Sequence, residues 1–186
     1  RVGVPVQPQG DVPLLAAVMA KSRWRSGNLS TGFIAEEFPG GFERTAPSGA
    51  AARRIAAVAA AIDHVLGERK RKISGQLNVA LLRERRRSIW LGSEEMQADV
   101  AHDGNTIAVT FEDGATHVLQ SDFAPGMPLW QGVVDGAPVA MHVRTVPNGF
   151  ELAYRGVEVK AFVYTEREAA YARLMPAKKL AGSEKS

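Results

Sequence analysis

An alanine-rich helix pattern from Ser48 to about Lys72 is the feature that most restricts how this chain can fold. At about 100° per residue, the larger apolar side chains share one face and alanines fill the opposite face. The first face comprises Ile55, Val58, Ala59, Ile62, Val65 and Leu66, and the second comprises Ala56, Ala57, Ala60 and Ala61. No polar residue interrupts the stretch from Ile55 to Ile62. A helix that is apolar all round is normally buried, so other parts of the chain must surround these two turns.

The composition fits one folded domain, or one domain plus a fragment. The chain has 186 residues, of which 45% are hydrophobic, so it can bury a full core. It has no cysteine, which excludes disulfides and cysteine-ligated metals and favours a reducing compartment such as the cytosol. The apolar run from Val12 to Ala20 is too short to span a bilayer. Because the chain begins with Arg1 rather than Met, we expect an excised or processed piece.

Residues 1–45 carry two short helix patterns, Val12 to Ala20 and Ser30 to Phe38, joined by the polar turn Arg25 to Asn28. Their periodic apolar surface is too small for an independent core, so this segment is interpreted as the tail of a larger unit. At the other end of the chain, Arg167 to Met175 is a helix pattern followed by a polar linker.

The region from Arg87 to Thr165 divides into eight strand-like runs with alternating apolar residues. Asp-Gly and Asn-Gly dipeptides, such as Asp135-Gly136 and Asn148-Gly149, are typical of turns between antiparallel neighbours. The predicted strands are Arg87 to Leu91, Met96 to Ala101, Thr106 to Phe111, Thr116 to Ser121, Leu129 to Val134, Ala137 to Val146, Gly149 to Tyr154 and Val157 to Tyr164.

Helix and strands together predict an α+β fold in which an eight-stranded antiparallel β-barrel wraps around the long central helix. An alanine-rich helix is thinner than most, which helps it to fit inside a barrel of this size. The alternative is a plain sheet with the helix across one face. That arrangement explains Ile55, Val58 and Ile62 but leaves the alanines on the far side without a partner.

Residues with catalytic chemistry form no recognisable pattern. The sequence lacks phosphate-binding glycine motifs, a serine elbow and a cysteine nucleophile. The histidines His64, His102, His117 and His142 are far apart in sequence and form no metal-ligand pair at helical spacing. By elimination, the sequence predicts no catalytic residues, no cofactor site and no metal site.

The connector between the helix and the first strand is unusually apolar. Ile73, Leu77, Val79, Leu81 and Leu82 lie between two basic clusters, Arg69 to Lys72 and Arg83 to Arg87. Such a segment is typical of a surface that docks on another protein, although an additional strand or a continued helix explains it equally well. The first cluster suits a helix C-terminus. Nucleic-acid binding is disfavoured, because no aromatic residues are interleaved with the arginines.

Both ends of the chain resemble a known family, the biotin-dependent acyl-CoA carboxylases. Ser26-Gly27-Asn28-Leu29-Ser30-Thr31-Gly32-Phe33, with Phe38-Pro39-Gly40-Gly41-Phe42 after it, resembles the end of a biotin carboxylase domain. The alanine helix, its basic end and Ala172 to Pro176 are similar to the alpha subunits of the propionyl-CoA carboxylase group. The resemblance covers nearly the whole chain and is weakest in the strands.

The resemblance implies a BT domain, a barrel around a helix that contacts the carboxyltransferase beta subunit partly through a hook-like loop after the helix. It assigns Ile73, Leu77, Val79, Leu81, Leu82, Arg83, Arg85 and Arg86 to that interface. It also implies residues 1–45 as a biotin carboxylase tail, 46–165 as the BT domain and 166–186 as a helix and linker. Within the BT domain, the helix would cover 48–72, the hook 73–87 and the strands 87–165.

The resemblance further implies that the parent enzyme is an alpha–beta hetero-oligomer that uses ATP, biotin and a divalent metal such as magnesium to convert propionyl-CoA to methylmalonyl-CoA. This piece lacks an ATP-grasp region and an Ala-Met-Lys-Met sequence, so we expect no ATP or biotin to bind to it. The expected location is the bacterial cytoplasm or the mitochondrial matrix, without membrane or nucleic-acid partners. The alternatives are a methylcrotonyl-CoA or other acyl-CoA carboxylase and, in a different class, a barrel that binds a small ligand in a central cavity.

Overall fold

The computed structural model describes residues 15, 18–19, 21–39, 47–73 and 84–175. In the N-terminal segment it contains helices α1, Ser22–Arg25, and α2, Phe33–Glu37. Helix α1 was not predicted, and the turn expected from Arg25 to Asn28 begins only after it. The expected helix from Val12 to Ala20 lies largely outside the described residues. Helix α2 lies within the pattern predicted from Ser30 to Phe38.

Helix α3, Gly49–Ile73, passes through the centre of the molecule. Every residue from Ile55 to Ile62 is buried, including the alanines on both sides of the helix. This burial confirms that the apolar middle of the helix is surrounded. The alternative of a helix lying across one face of a sheet is therefore wrong.

Eight antiparallel strands close into a barrel in which each strand pairs with the next and β8 pairs with β1. The strands are β1 Arg86–Leu91, β2 Glu94–Asp103, β3 Thr106–Phe111, β4 Thr116–Gln120, β5 Leu129–Val134, β6 Ala137–Val146, β7 Gly149–Tyr154 and β8 Val157–Tyr164. The predicted fold class is confirmed. At the β5–β6 turn, Asp135 and Gly136 both have positive φ, 52° and 79°, as a type I′ hairpin requires.

The interior of the barrel is filled by α3, which contacts β1, β2, β3, β4, β7 and β8. Ile55 and Ile62 are 0% and 1% exposed within the same core as Ile89 and Leu152 of the strands. A small-ligand barrel needs a cavity where these side chains lie. The structure therefore rules out that alternative.

The barrel has two distinct ends. At the proximal end, where α3 begins, Arg53 forms two hydrogen bonds with Asp113 in the β3–β4 turn, at 3.0 and 2.6 Å. At the distal end, where α3 leaves, Asp63 pairs with Arg87 at the start of β1. Because the strands run up and down, the β1–β2, β3–β4, β5–β6 and β7–β8 turns lie at the proximal end and the other turns at the distal end.

The last described element, α4, Glu166–Leu174, packs on the outside of the barrel against β1 and β8. Thr165 and Glu168 form a reciprocal capping box that stabilises its first turn. Ala169 is buried against the barrel, and Arg173 donates to Glu95 of β2 at 2.5 Å. Helix α4 thus covers the seam where the first and last strands meet.

Candidate functional site

The distal end of the barrel carries both attachment points of the predicted docking segment. Arg69 and Lys70 are exposed, so α3 projects outward beyond the core. At 1.5 Å per residue, the turns from Gly67 to Ile73 extend it by about 10 Å. The chain leaves α3 at Ile73 and is described again from Glu84, just before β1. Both attachment points of the connector therefore lie at the distal end.

Of the eight predicted interface residues, the structure describes three. Leu77, Val79, Leu81, Leu82 and Arg83 lie outside the described residues, and Ile73 is the final residue of α3. Arg85 and Arg86 are described, and both are exposed. The assignment of these eight residues to an interface stays a prediction.

Arg85 and Arg86 differ in the contacts that they make with the rest of the chain. The carbonyl of Arg85 accepts a hydrogen bond from the Val100 amide at 2.9 Å, so its backbone extends the pairing of β1 with β2. The Arg86 guanidinium pairs with Glu112 and lies 3.1 Å from Glu166 of α4. Its charge is therefore neutralised within the chain.

Arg87 fixes the chain where it returns from the connector. Its Nη1 donates to the carbonyls of Glu84 and Arg86, at 2.6 and 3.0 Å, and its Nε lies 3.2 Å from Oδ2 of Asp63. Burial raises the pKa of Asp63, although the nearby Arg87 cation acts in the opposite direction. This ion pair joins the end of the buried helix directly to the first strand.

Two of the histidines, which are 38 positions apart in sequence, meet at the same end. Nε2 of His64 lies 3.1 Å from Nδ1 of His102, and the rings are perpendicular. His64 is buried in α3, while His102 lies near the end of β2. Oε1 of Glu68 is 3.9 Å from the His64 ring. The described residues include no group of three or more potential ligands that could hold a metal ion.

A cleft of about 540 Å³ opens between α3 and α4 at this end. Its walls combine apolar side chains with a few charged ones. They include Leu66, Lys70, Phe150, Val163, Tyr171 and Met175, with Asp63 and Glu168 as carboxylates. A segment with an apolar anchor and flanking hydrogen-bond donors has the chemistry to fill it.

Comparison with known proteins identifies the family. The model of the propionyl-coenzyme A carboxylase BT domain matches residues 55–178. The chain belongs to this BT domain family. A propionyl-CoA carboxylase alpha chain from Ruegeria pomeroyi is 38% identical over 174 residues, which is 90% of this chain. The chain spans a quarter of the length of that relative.

The match to the BT domain begins inside the buried part of α3, includes the connector and all eight strands, and extends past α4. The resemblance noted from the sequence is therefore confirmed. In this BT domain, sequence reasoning missed the contacts that build the distal end, namely Asp63 with Arg87 and His64 with His102. The only local signal was the spacing of His64 and Glu68 by four residues, which places them on one face of a helix. Among the helices that the structure describes, none is both long and apolar enough to cross a membrane.

Proposed function

We propose that this BT domain docks a propionyl-CoA carboxylase alpha subunit onto its carboxyltransferase beta subunit and takes no part in the chemistry. The proposal rests mainly on the match of residues 55–178 to the BT domain family. The apolar connector supports it, because both of its attachment points lie at one end of the barrel. Assembly is a suitable role for a barrel whose interior is filled by its own helix, since that interior is unavailable to a substrate.

The proposed docking surface is the connector with its flanking residues, Ile73, Leu77, Val79, Leu81, Leu82, Arg83, Arg85 and Arg86. Aliphatic side chains provide the buried centre of such an interface, and arginines suit its rim. The Asp63–Arg87 ion pair supports this role, because it fixes the start of β1, where the connector ends, against the helix from which the connector begins.

The parent enzyme, on this proposal, is a ligase that uses ATP, biotin and a divalent metal such as magnesium to carboxylate propionyl-CoA to methylmalonyl-CoA. The Ruegeria pomeroyi relative supports propionyl-CoA rather than the methylcrotonyl-CoA alternative. ATP and biotin are assigned to parts of the parent protein outside this chain.

Binding to the purified beta subunit tests the proposal. Leu81→Asp and Arg85→Glu should each weaken the complex about tenfold or more, because a central apolar contact and a rim cation are lost. Arg86→Glu is a poorer probe, since it also breaks the pairs with Glu112 and Glu166.

The matched control is Arg155→Glu, which makes the same charge change at the exposed β7–β8 turn of the proximal end. It should leave the dissociation constant within about twofold. If Leu81→Asp and Arg85→Glu bind like the wild type while remaining folded, the connector is not the docking surface.

A further inference from the structure

Helix α4 and its C-cap expose an apolar stripe of three large side chains. Tyr171, Leu174 and Met175 are 56%, 80% and 72% exposed. Tyr171 and Leu174 are three residues apart and therefore lie on one face of α4, and Met175 follows directly as the C-cap residue. Large apolar side chains grouped in this way mark interaction surfaces more often than isolated ones do.

The opposite side of α4 is firmly held, so the stripe is presented in a fixed position. Ala169 is buried on the barrel, Arg173 is hydrogen-bonded to Glu95, and Glu166 pairs with Arg86. The capping box of Thr165 and Glu168 stabilises the first turn. A preorganised surface of this kind loses little conformational entropy when a partner binds.

The stripe adjoins the part of α3 from which the connector begins. Tyr171 and Met175 line the distal cleft together with Leu66 and Lys70 of α3, just before the connector begins. A partner that contacts α3 near Lys70, where the connector begins, can therefore reach Tyr171 and Met175 as well.

We infer that α4 is a second element of the docking surface, and that the partner subunit places an apolar side chain over Tyr171, Leu174 and Met175. The cleft beside the stripe accepts the flanking part of the same partner segment, which donates hydrogen bonds to Glu168 or Asp63. This inference rests on the docking function proposed above and enlarges the surface beyond the connector.

Leu174→Glu tests the inference, because a side chain this exposed contributes little to the fold. We expect the dissociation constant for the beta subunit to rise about tenfold. The matched control is Val118→Glu, which places the same charge on an exposed valine of β4. It should change the constant less than about twofold.

The outcomes separate the two proposals. If Leu174→Glu binds like the wild type while Leu81→Asp weakens binding, α4 is outside the interface and the docking function stands. If neither variant weakens binding, both proposals fail. If Val118→Glu weakens binding as much as Leu174→Glu, the loss is not specific to the stripe and the inference is overturned. Circular dichroism spectra must match in every case.

Discussion

Arg87 of β1 lies with its Nε 3.2 Å from Oδ2 of Asp63, so the first strand is fastened to the helix that it helps to enclose. The two residues are 24 positions apart, and the connector lies between them. The side chain of Arg87 is 16% exposed and that of Asp63 is 33% exposed. The pair is thus partly desolvated, and losing one member leaves an opposite charge that is poorly solvated.

We predict that Arg87→Met lowers the free energy of unfolding by about 1–3 kcal/mol at pH 7, less than for a fully buried pair. Burial already raises the pKa of Asp63, and removal of the cation raises it further. Because the folded-state pKa of Asp63 lies above its usual value of 3.8, the folded protein loses stability as pH rises from 3.8 through the folded-state pKa. The deficit of the variant should therefore be largest at neutral pH and shrink towards pH 4. Urea unfolding at several pH values measures this, and a deficit that grows in acid would contradict it.

The buried alanines of α3 give a second prediction. Ala60 is fully buried, so Ala60→Leu should lower the free energy of unfolding by about 1–3 kcal/mol through overpacking. Ala50 is exposed in the first turn of the same helix. Ala50→Leu should therefore change the free energy of unfolding by less than about 0.5 kcal/mol. Equal effects of the two substitutions in urea unfolding would mean that α3 is not enclosed.

Alternating apolar residues and turn dipeptides were together enough to predict most of the barrel. Five strands have the predicted bounds, including β5 and β6, because Asp135-Gly136 marks their turn unambiguously. Helix α1 was missed because Ser22–Arg25 has no apolar period and no buried residue. It is held instead by side-chain pairs such as Arg23 with Glu36, which depend on how the chain folds back.

The histidine pair at the distal end provides a third prediction. His102→Ala removes the hydrogen bond and the perpendicular ring contact with buried His64, and should lower the free energy of unfolding by about 1 kcal/mol. His142→Ala serves as the control, since His142 is exposed on β6. It should change the free energy by less than about 0.5 kcal/mol. Chemical denaturation of both variants at pH 7.5 is the measurement, and a loss no larger for His102 than for His142 would argue against a structural role of the pair.

Attachment of α4 to the barrel should depend on pH. Hydrogen bonds from Arg173 hold the pKa of Glu95 below its usual value of 4.5, against the opposing effect of burial, and Ser88 also donates to it. A lowered carboxyl pKa stabilises the fold above about 4.5, and that contribution is lost as pH falls through the folded value.

We therefore expect Glu95→Gln to be less stable than the wild type by about 1 kcal/mol between pH 5 and 7. The difference should shrink as pH falls from 4.5 through the lower folded-state pKa of Glu95, because the wild-type carboxylate then becomes protonated as well. Unfolding midpoints measured across this range check the prediction. A difference that persists unchanged at pH 3 would mean that the charge of Glu95 does not hold α4.

The distal end was only partly predictable, for a physical reason. The connector was identifiable because leucines and valines between arginines are unusual in a loop. The contacts that organise its surroundings join residues such as His64 and His102, which are 38 positions apart. Such residues come together only when the barrel closes around the helix, so no local sequence pattern predicts their contact. Likewise, the exposed side of α4 is defined only once Ala169 is seen to face the barrel.

Competition during assembly tests the central claim most directly. The full-length alpha and beta subunits would be mixed with increasing amounts of this chain, and the complexes measured by sedimentation velocity. We predict that the wild-type chain displaces the alpha subunit from the beta subunit, and that the Leu81→Asp chain needs about tenfold more protein to do so. Normal assembly in the presence of excess folded wild-type chain would contradict the docking role.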